Sequence, residues 1–171
     1  MKQKTTLLPD WKKDKKLPQE TINDIIENPK KYDGHWDAIS MNYKLPEYFI
    51  RVLKNKLNLD CVSVCQTLSE NFMEELEDIL YWDSLSYHQQ MSEKFIEKHQ
   101  NKLYMHRIAE RQKLSEKFIF KHFSIFSSCV KYLLKNKNLS ITLKKKIIKR
   151  KIKEMNQKLL SEKDINWYYK L

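Results

Sequence analysis

A single register runs through the middle of this chain. Trp36, Leu59, Trp82 and Met105 stand at successive intervals of 23 residues, and nearly every informative position falls into the same frame. Three residues after each anchor come Ile39, Val62, Leu85 and Ile108, followed by Ser40, Ser63, Ser86 and Ala109. Seven after the anchor stand Tyr43, Gln66, Gln89 and Gln112. Leu45, Leu68, Met91 and Leu114 precede Pro46, Ser69, Ser92 and Ser115, which lead into Glu47, Glu70, Glu93 and Glu116. Phe49, Phe72, Phe95 and Phe118 follow, beside Ile50, Met73, Ile96 and Ile119, and Leu57, Leu80, Leu103 and Phe126 close each repeat. A fixed period of this length marks a repeat fold, whose units are too small to bury an apolar face alone.

Within a repeat the spacing is helical. The anchor, the apolar residue three on and the Gln seven on are expected on one face of a helix of about two turns. Leu-Ser-Glu-x-Phe-Ile then reads as the start of a second helix. Ser69, Ser92 and Ser115 suit the N-cap, where the hydroxyl accepts a free backbone N–H. Glu beside the cap suits the positive end of the helix dipole, and the preceding Leu forms a staple with the Ile or Met inside the helix. Pro18 and Pro46 fit the same slot, since proline is tolerated at helix starts. Helices this short do not hold by themselves in water, so neighbouring repeats must stabilise them.

The expected fold is therefore all-α: helical hairpins of 23 residues stacked as a compact α-solenoid. A degenerate copy is expected at Leu17-Pro18-Gln19-Glu20-Thr21-Ile22, with Thr21 where Phe belongs. Another runs from Val130 to Leu143 after a two-residue slip, carrying Leu133, Leu139 and Ser140. A longer helix near Thr142 to Leu160 closes the array, with an apolar stripe of Leu143, Ile147, Ile148, Ile152, Met155 and Leu159 opposite a basic face. Trp167-Tyr168-Tyr169 is expected to fold back from the tail. At 171 residues one domain is the expectation. It comprises a basic N-terminal segment (1–35), four repeats (36–127) and a C-terminal segment (128–171).

Tandem repeats reading Trp-x-x-Ile-Ser-x-x-Gln-x-Leu-Ser-Glu-x-Phe-Ile resemble a repeat of poorly characterised proteins of bacteriophages and large DNA viruses. Trp82-Asp-Ser-Leu-Ser-Tyr-His-Gln-Gln-Met-Ser-Glu-Lys-Phe-Ile96 is the best copy, and the resemblance covers about Trp36 to Phe126. Leu59 and Met105 depart from the Trp anchor, a conservative packing change. The resemblance implies a small viral or phage protein acting on host machinery. It carries no activity or catalytic residues to transfer.

Composition narrows the chemistry. One Gly and four Pro exclude Gly-rich phosphate loops and disfavour an all-β fold. The basic N-terminus lacks an apolar stretch of signal-peptide length, and no window approaches the roughly 18 apolar residues of a membrane span. Three cysteines, Cys61, Cys65 and Cys129, are an odd number and too few for a disulfide framework, so a reducing interior, the host cytoplasm, is expected. Cys61 and Cys65 lie four apart, but no histidines stand at zinc-site spacing, and nothing in the sequence sets a His beside a Cys as a nucleophile pair. His99 and His122 share a slot that is apolar elsewhere and read as packed residues. Glu70, Glu93 and Glu116 read as helix-start residues. Gln66, Gln89 and Gln112 either form an exposed ladder or bond backbone between repeats, the second being expected. No enzyme signature, metal site or cofactor is expected.

Charge carries the functional signal. Lys and Arg number 33 against 22 Asp and Glu, a formal net charge of +11. From Leu57 to Asp83 there is no Lys or Arg, and Glu70, Glu74, Glu75, Glu77 and Asp78 define a candidate acidic surface. From Lys131 to Lys158 the only acid is Glu154, and Lys144, Lys145, Lys149, Arg150, Lys151 and Lys153 define a candidate basic surface. Lys2, Lys4, Lys12, Lys13, Lys15 and Lys16 add a second basic block. The plain alternative is that these lysines are merely solvated. The functional expectation is an interaction protein that binds and inhibits a host protein or ribonucleoprotein, for instance a defence nuclease, as anti-CRISPR proteins do. The competing expectations are direct DNA or RNA binding, with aromatics such as Tyr132 or Trp167 stacking on bases, and a structural virion component. No membrane partner is expected.

Overall fold

The computed structural model describes Leu8 and residues 15–157, and these are mostly helical. The tail cluster Trp167-Tyr168-Tyr169, the end of the last helix at Lys158 to Leu160, and the lysines before Lys15 lie outside the described residues. The chain divides into two compact units, one ending at Gln89 and the other starting at Gln90.

The first unit contains β1 (Lys15–Lys16), α1 (Gln19–Glu27), a 3-10 turn (Pro29–Tyr32), α2 (Trp36–Asn42), β2 (Tyr43–Lys44), α3 (Glu47–Leu53), α4 (Leu59–Cys65), α5 (Glu70–Glu75) and α6 (Trp82–His88). Helix α2 packs on α4 and α4 on α6. Gly34, the only glycine in the chain, takes φ +87° in the turn before α2, a conformation that L side chains avoid. The second unit contains α7 (Glu93–Lys98), α8 (Met105–Arg111), α9 (Glu116–Lys121), α10 (Phe123–Phe126), a 3-10 turn (Ser127–Cys129), α11 (Val130–Lys135) and α12 (Ile141–Gln157). Here α11 packs on α8.

Most of these helices have only six or seven residues, so packing and capping must hold them. Ser69, Ser92 and Ser115 are N-caps, their hydroxyls accepting from the N–H of Phe72, Phe95 and Phe118 at 3.2, 3.1 and 3.1 Å. Pro18 and Pro46 occupy the cap of α1 and α3. The second-helix Phe and its Ile or Met neighbour are buried in every case: Phe49 with Ile50, Phe72 with Met73, Phe95 with Ile96, and Phe118 with Ile119.

The glutamines bond the backbone of earlier repeats, as expected, but from a different place than the helix face expected of them. They do not lie on a helix face: Gln66, Gln89 and Gln112 are C-cap residues with extended backbone, just after α4, α6 and α8. All three are buried and turn their amides onto earlier backbone. Gln66 accepts from Leu45 N at 2.9 Å and donates to the carbonyls of Ser40 and Tyr43 at 2.8 and 2.7 Å. Gln89 accepts from Leu68 N at 3.0 Å and donates to Ser63 and Gln66 at 2.9 and 2.7 Å. Gln112 accepts from Met91 N at 3.0 Å. Backbone groups buried between short helices need such partners. An exposed glutamine ladder is thereby excluded.

The serines four after the anchors play a second bridging role. Ser40 donates to Trp36 O at 2.7 Å and accepts from Asn58 N at 3.0 Å, while Ser63 donates to Leu59 O at 2.7 Å and accepts from Tyr81 N at 3.3 Å. The helix-start glutamates also reach outward. Glu47 accepts from Ser69 N at 2.6 Å, and Glu93 accepts from Ser115 N at 2.5 Å and from Ser115 Oγ at 3.1 Å.

One feature lies outside an all-helical expectation. β1 and β2 pair in parallel, Lys15 with Tyr43 and Lys16 with Lys44, a two-residue ladder that periodicity does not announce. In the second unit, α10 and the 3-10 turn carry the chain across the two-residue slip. Past the slip, Asn136 stands in for the glutamine, donating to the carbonyls of Ala109 and Gln112 at 2.8 and 2.9 Å. Ser140 then caps α12, accepting from Leu143 N at 3.2 Å.

Candidate interaction surface

Helix α12 is the longest in the described chain, 17 residues, and it begins at Ile141, one residue before the expected start. Leu143, Ile147 and Met155 are buried, and Ile148 and Ile152 are half-buried. That stripe fixes which cations face outward. Lys145, Lys149 and Lys153 are exposed at i, i+4 and i+8, one row rising about 6 Å per step. Lys146 and Arg150 are exposed on the adjoining row. Lys146 is bonded to the Glu116 carboxylate at 2.7 and 2.9 Å. The Arg150 guanidinium sits 5.8 Å from the Phe123 ring centroid, and Phe123, Ser124, Arg150, Lys153 and Glu154 line a cavity of about 320 Å³.

The six basic residues singled out from sequence therefore separate. Lys145, Lys149, Arg150 and Lys153 share the exposed face. Lys144 and Lys151 do not: both are half-buried, and Lys151 lies 3.4 Å from Glu154 with only 16% of its side chain exposed. Residues 144, 148, 151 and 155 follow one another at helical spacing, so Lys144 and Lys151 run along the apolar stripe with Ile148 and Met155.

The acidic set is not one exposed patch either. Glu75 and Asp78 are exposed, whereas Glu70, Glu74 and Glu77 are half-buried. Arg51 grips Glu75 through two bonds, Nε to Oε1 at 2.5 Å and Nη2 to Oε2 at 2.6 Å, and holds its carboxyl below the usual range. Arg51 comes from α3, outside the cation-free run from Leu57 to Asp83.

Potential reactive groups are few. The three cysteines are free thiols, and burial pushes the Cys61 thiol upward, with the neighbouring Cys65, Asp37 and Asp60 adding to the shift. Cys65 and His88, 23 residues apart, line one cavity of about 290 Å³ with Met41, Tyr43, Lys44 and Val64, a shared lining that no local spacing announces. Among the described residues no group of three His, Cys, Asp or Glu is arranged to hold a metal ion. His99 is buried and His122 half-buried, each against a phenylalanine of its own helix, with ring centroids 4.4 Å from Phe95 and 4.6 Å from Phe118. Among the described residues no helix is long and apolar enough to cross a membrane.

No protein family, curated protein or solved structure matches the chain.

Proposed function

We propose that this chain is a non-catalytic helical-repeat interaction module of viral or phage type, whose hairpins stack as an α-solenoid within each unit. In this reading it engages an anionic surface of a host protein or ribonucleoprotein through α12 and so inhibits its target. The observation that carries the reading is the exposed row Lys145, Lys149 and Lys153 beside Arg150. The recurring polar residues add to it: the Gln and Ser of the repeat are occupied with backbone, which leaves only the outward positions to vary for recognition.

The test is capture of partners from host lysate, split into nuclease-treated and untreated halves, by the full chain and by the K145E/K149E/K153E variant. The reading expects a nuclease-resistant protein partner that the variant loses. Capture unchanged by charge reversal overturns it. A second reading, direct binding to DNA or RNA, is favoured by the dominance of Lys over Arg on this face, which suits phosphates better than bases. That reading expects affinity to fall steeply with salt, and a flat titration eliminates it.

A further inference from the structure

The second unit carries an aromatic cluster built from the start of α8 and from α11. Tyr104 is 48% exposed at the N-cap of α8. Its ring meets His106 edge-on at 6.0 Å, and His106 in turn meets Tyr132 of α11 at 5.3 Å. The Lys131 ammonium lies 5.0 Å from the Tyr132 ring centroid. Helices α8 and α11 together hold Arg107, Arg111, Lys131 and Lys135 against one carboxylate, Glu110.

The repeat frame sharpens this observation. The residue after the anchor is Asp37, Asp60 and Asp83 in the first three repeats, an acid in the first turn, where it favours a helix. At the same slot the fourth repeat has His106 and the slipped repeat has Lys131, so α8 and α11 have no acid in their first turn. The chain gives up a helix-stabilising carboxylate, one that would repel phosphate, at the two places where the rings gather.

We propose that Tyr104, His106 and Tyr132, with Lys131 beside them, form a stacking platform for single-stranded nucleic acid. Half-exposed rings offer π-faces that unpaired bases stack on without regard to sequence, and the surrounding cations meet the backbone. A duplex keeps its bases stacked on one another and does not fit. The proposal rests on the reading of the chain as a binding module and gives it a strand-recognising site separate from the lysine row of α12.

Fluorescence anisotropy on the full chain at low salt tests it. The probes are labelled oligouridylate, oligothymidylate, an abasic strand with the same number of phosphates, and a duplex. Oligouridylate or oligothymidylate is expected to bind more tightly than the abasic strand and the duplex, and the pair decides between RNA and DNA. Tyr104→Ala and His106→Ala are expected to weaken base-bearing strands by about five- to a hundredfold each, with abasic binding unchanged. Tyr132→Phe keeps the ring and is expected to keep affinity. K145E/K149E/K153E is expected to leave the preference for bases intact. Abasic and base-bearing strands binding alike, a preference for duplex, or losses from Tyr104→Ala that are equal on all probes overturn the platform. If those results come with nuclease-resistant capture of a protein that charge reversal on α12 removes, the platform fails while the α12 reading stands. If single strands bind through bases and α12 reversal leaves lysate capture unchanged, the α12 reading fails and the platform stands.

Discussion

Gln66 donates from Nε2 to the carbonyl oxygen of Tyr43 at 2.7 Å, and residue 43 is the position its own counterpart would occupy 23 residues earlier. Gln89 makes the same bond to Gln66 at 2.7 Å. Each amide thus serves the backbone of the slot before it. Tyr43 has no amide with which to do this, and there the backbone of β1 runs alongside instead, Lys15 opposite Tyr43. In the second unit Asn136 serves Gln112 with a side chain one carbon shorter; its Oδ1 accepts from Asn138 N at 2.8 Å, a local loop bond.

Gln66→Leu tests the weight of this relationship. Leucine fills a similar volume but strands the Leu45 N–H and the carbonyls of Ser40 and Tyr43 away from water. Each buried polar group left without a partner costs about 1–3 kcal/mol, so a loss of about 3 kcal/mol or more is expected. Urea unfolding followed by circular dichroism measures it. A loss below about 1 kcal/mol would mean that water replaces the amide.

Ser115 and Glu93 form a second link, local to the second unit. Ser115 caps α9 while its N–H and hydroxyl are held by the Glu93 carboxylate at 2.5 and 3.1 Å. Ser115→Ala is expected to cost about 1 kcal/mol through the lost cap. Glu93→Ala removes the carboxylate from the same serine, so the two changes share an interaction and should not add. In a double-mutant cycle the expected coupling is about 0.5–1 kcal/mol; strict additivity would show that Glu93 acts only on its own helix.

These two cases show where sequence reading succeeds and where it stops. Ser69, Ser92 and Ser115 are legible as caps because a cap is a bond three residues long. The glutamate reaching to the next cap, the glutamine reaching to an earlier carbonyl and the Arg51–Glu75 pair join residues 21 to 26 apart in sequence, and no local propensity encodes them. The half-buried place of Lys144 and Lys151 is legible from helical spacing alone, since they align with Ile148 and Met155. A count of charge along the chain treats every lysine of a helix as equally outward. Of the rings proposed to bind strands, Tyr132 is legible in the sequence as a base-stacking aromatic, whereas Tyr104 and His106 lie at the start of another helix and only the exchange of Asp for His106 after the anchor marks them.

Asp24 and Tyr32 predict how the first unit responds to pH. The Lys31 ammonium and the Tyr32 hydroxyl, 2.6 Å away, hold the Asp24 carboxyl down to about 2 from 3.8. Burial, reinforced by Asp24, pushes the Tyr32 phenol up to about 12 from 10.0. For Asp24 the folded pKa is depressed, so its contribution is present above about pH 4 and disappears as pH falls towards 2. For Tyr32 the folded pKa is raised, so its contribution is complete below pH 10 and disappears as pH rises towards 12. Tyr32→Phe is expected to destabilise the protein at neutral pH by about 1.5–3 kcal/mol, the range for a hydrogen bond to a charged group. It should also flatten the alkaline limb relative to wild type. Thermal melts across the two pH windows read both effects, and identical alkaline limbs would show that Tyr32 ionises as freely folded as unfolded.

The basic row of α12 makes an opposite kind of prediction. Lys149 has Lys145 four residues before it and Lys153 four residues after it, all exposed, and like charges at that spacing destabilise a helix by about 0.2–0.5 kcal/mol a pair. Lys149→Glu turns both repulsions into attractions and should stabilise the protein by about 1 kcal/mol, visible as a higher melting temperature at low salt and a smaller gain at high salt. The same change places a carboxylate in the middle of the surface proposed to meet an anionic partner, so capture of that partner should fall. A gain in stability coupled to a loss of binding identifies a face kept basic at the expense of the helix that carries it. A gain in stability with binding intact would make the row a solvated surface and return the search for the partner's contact to the rings of α8 and α11.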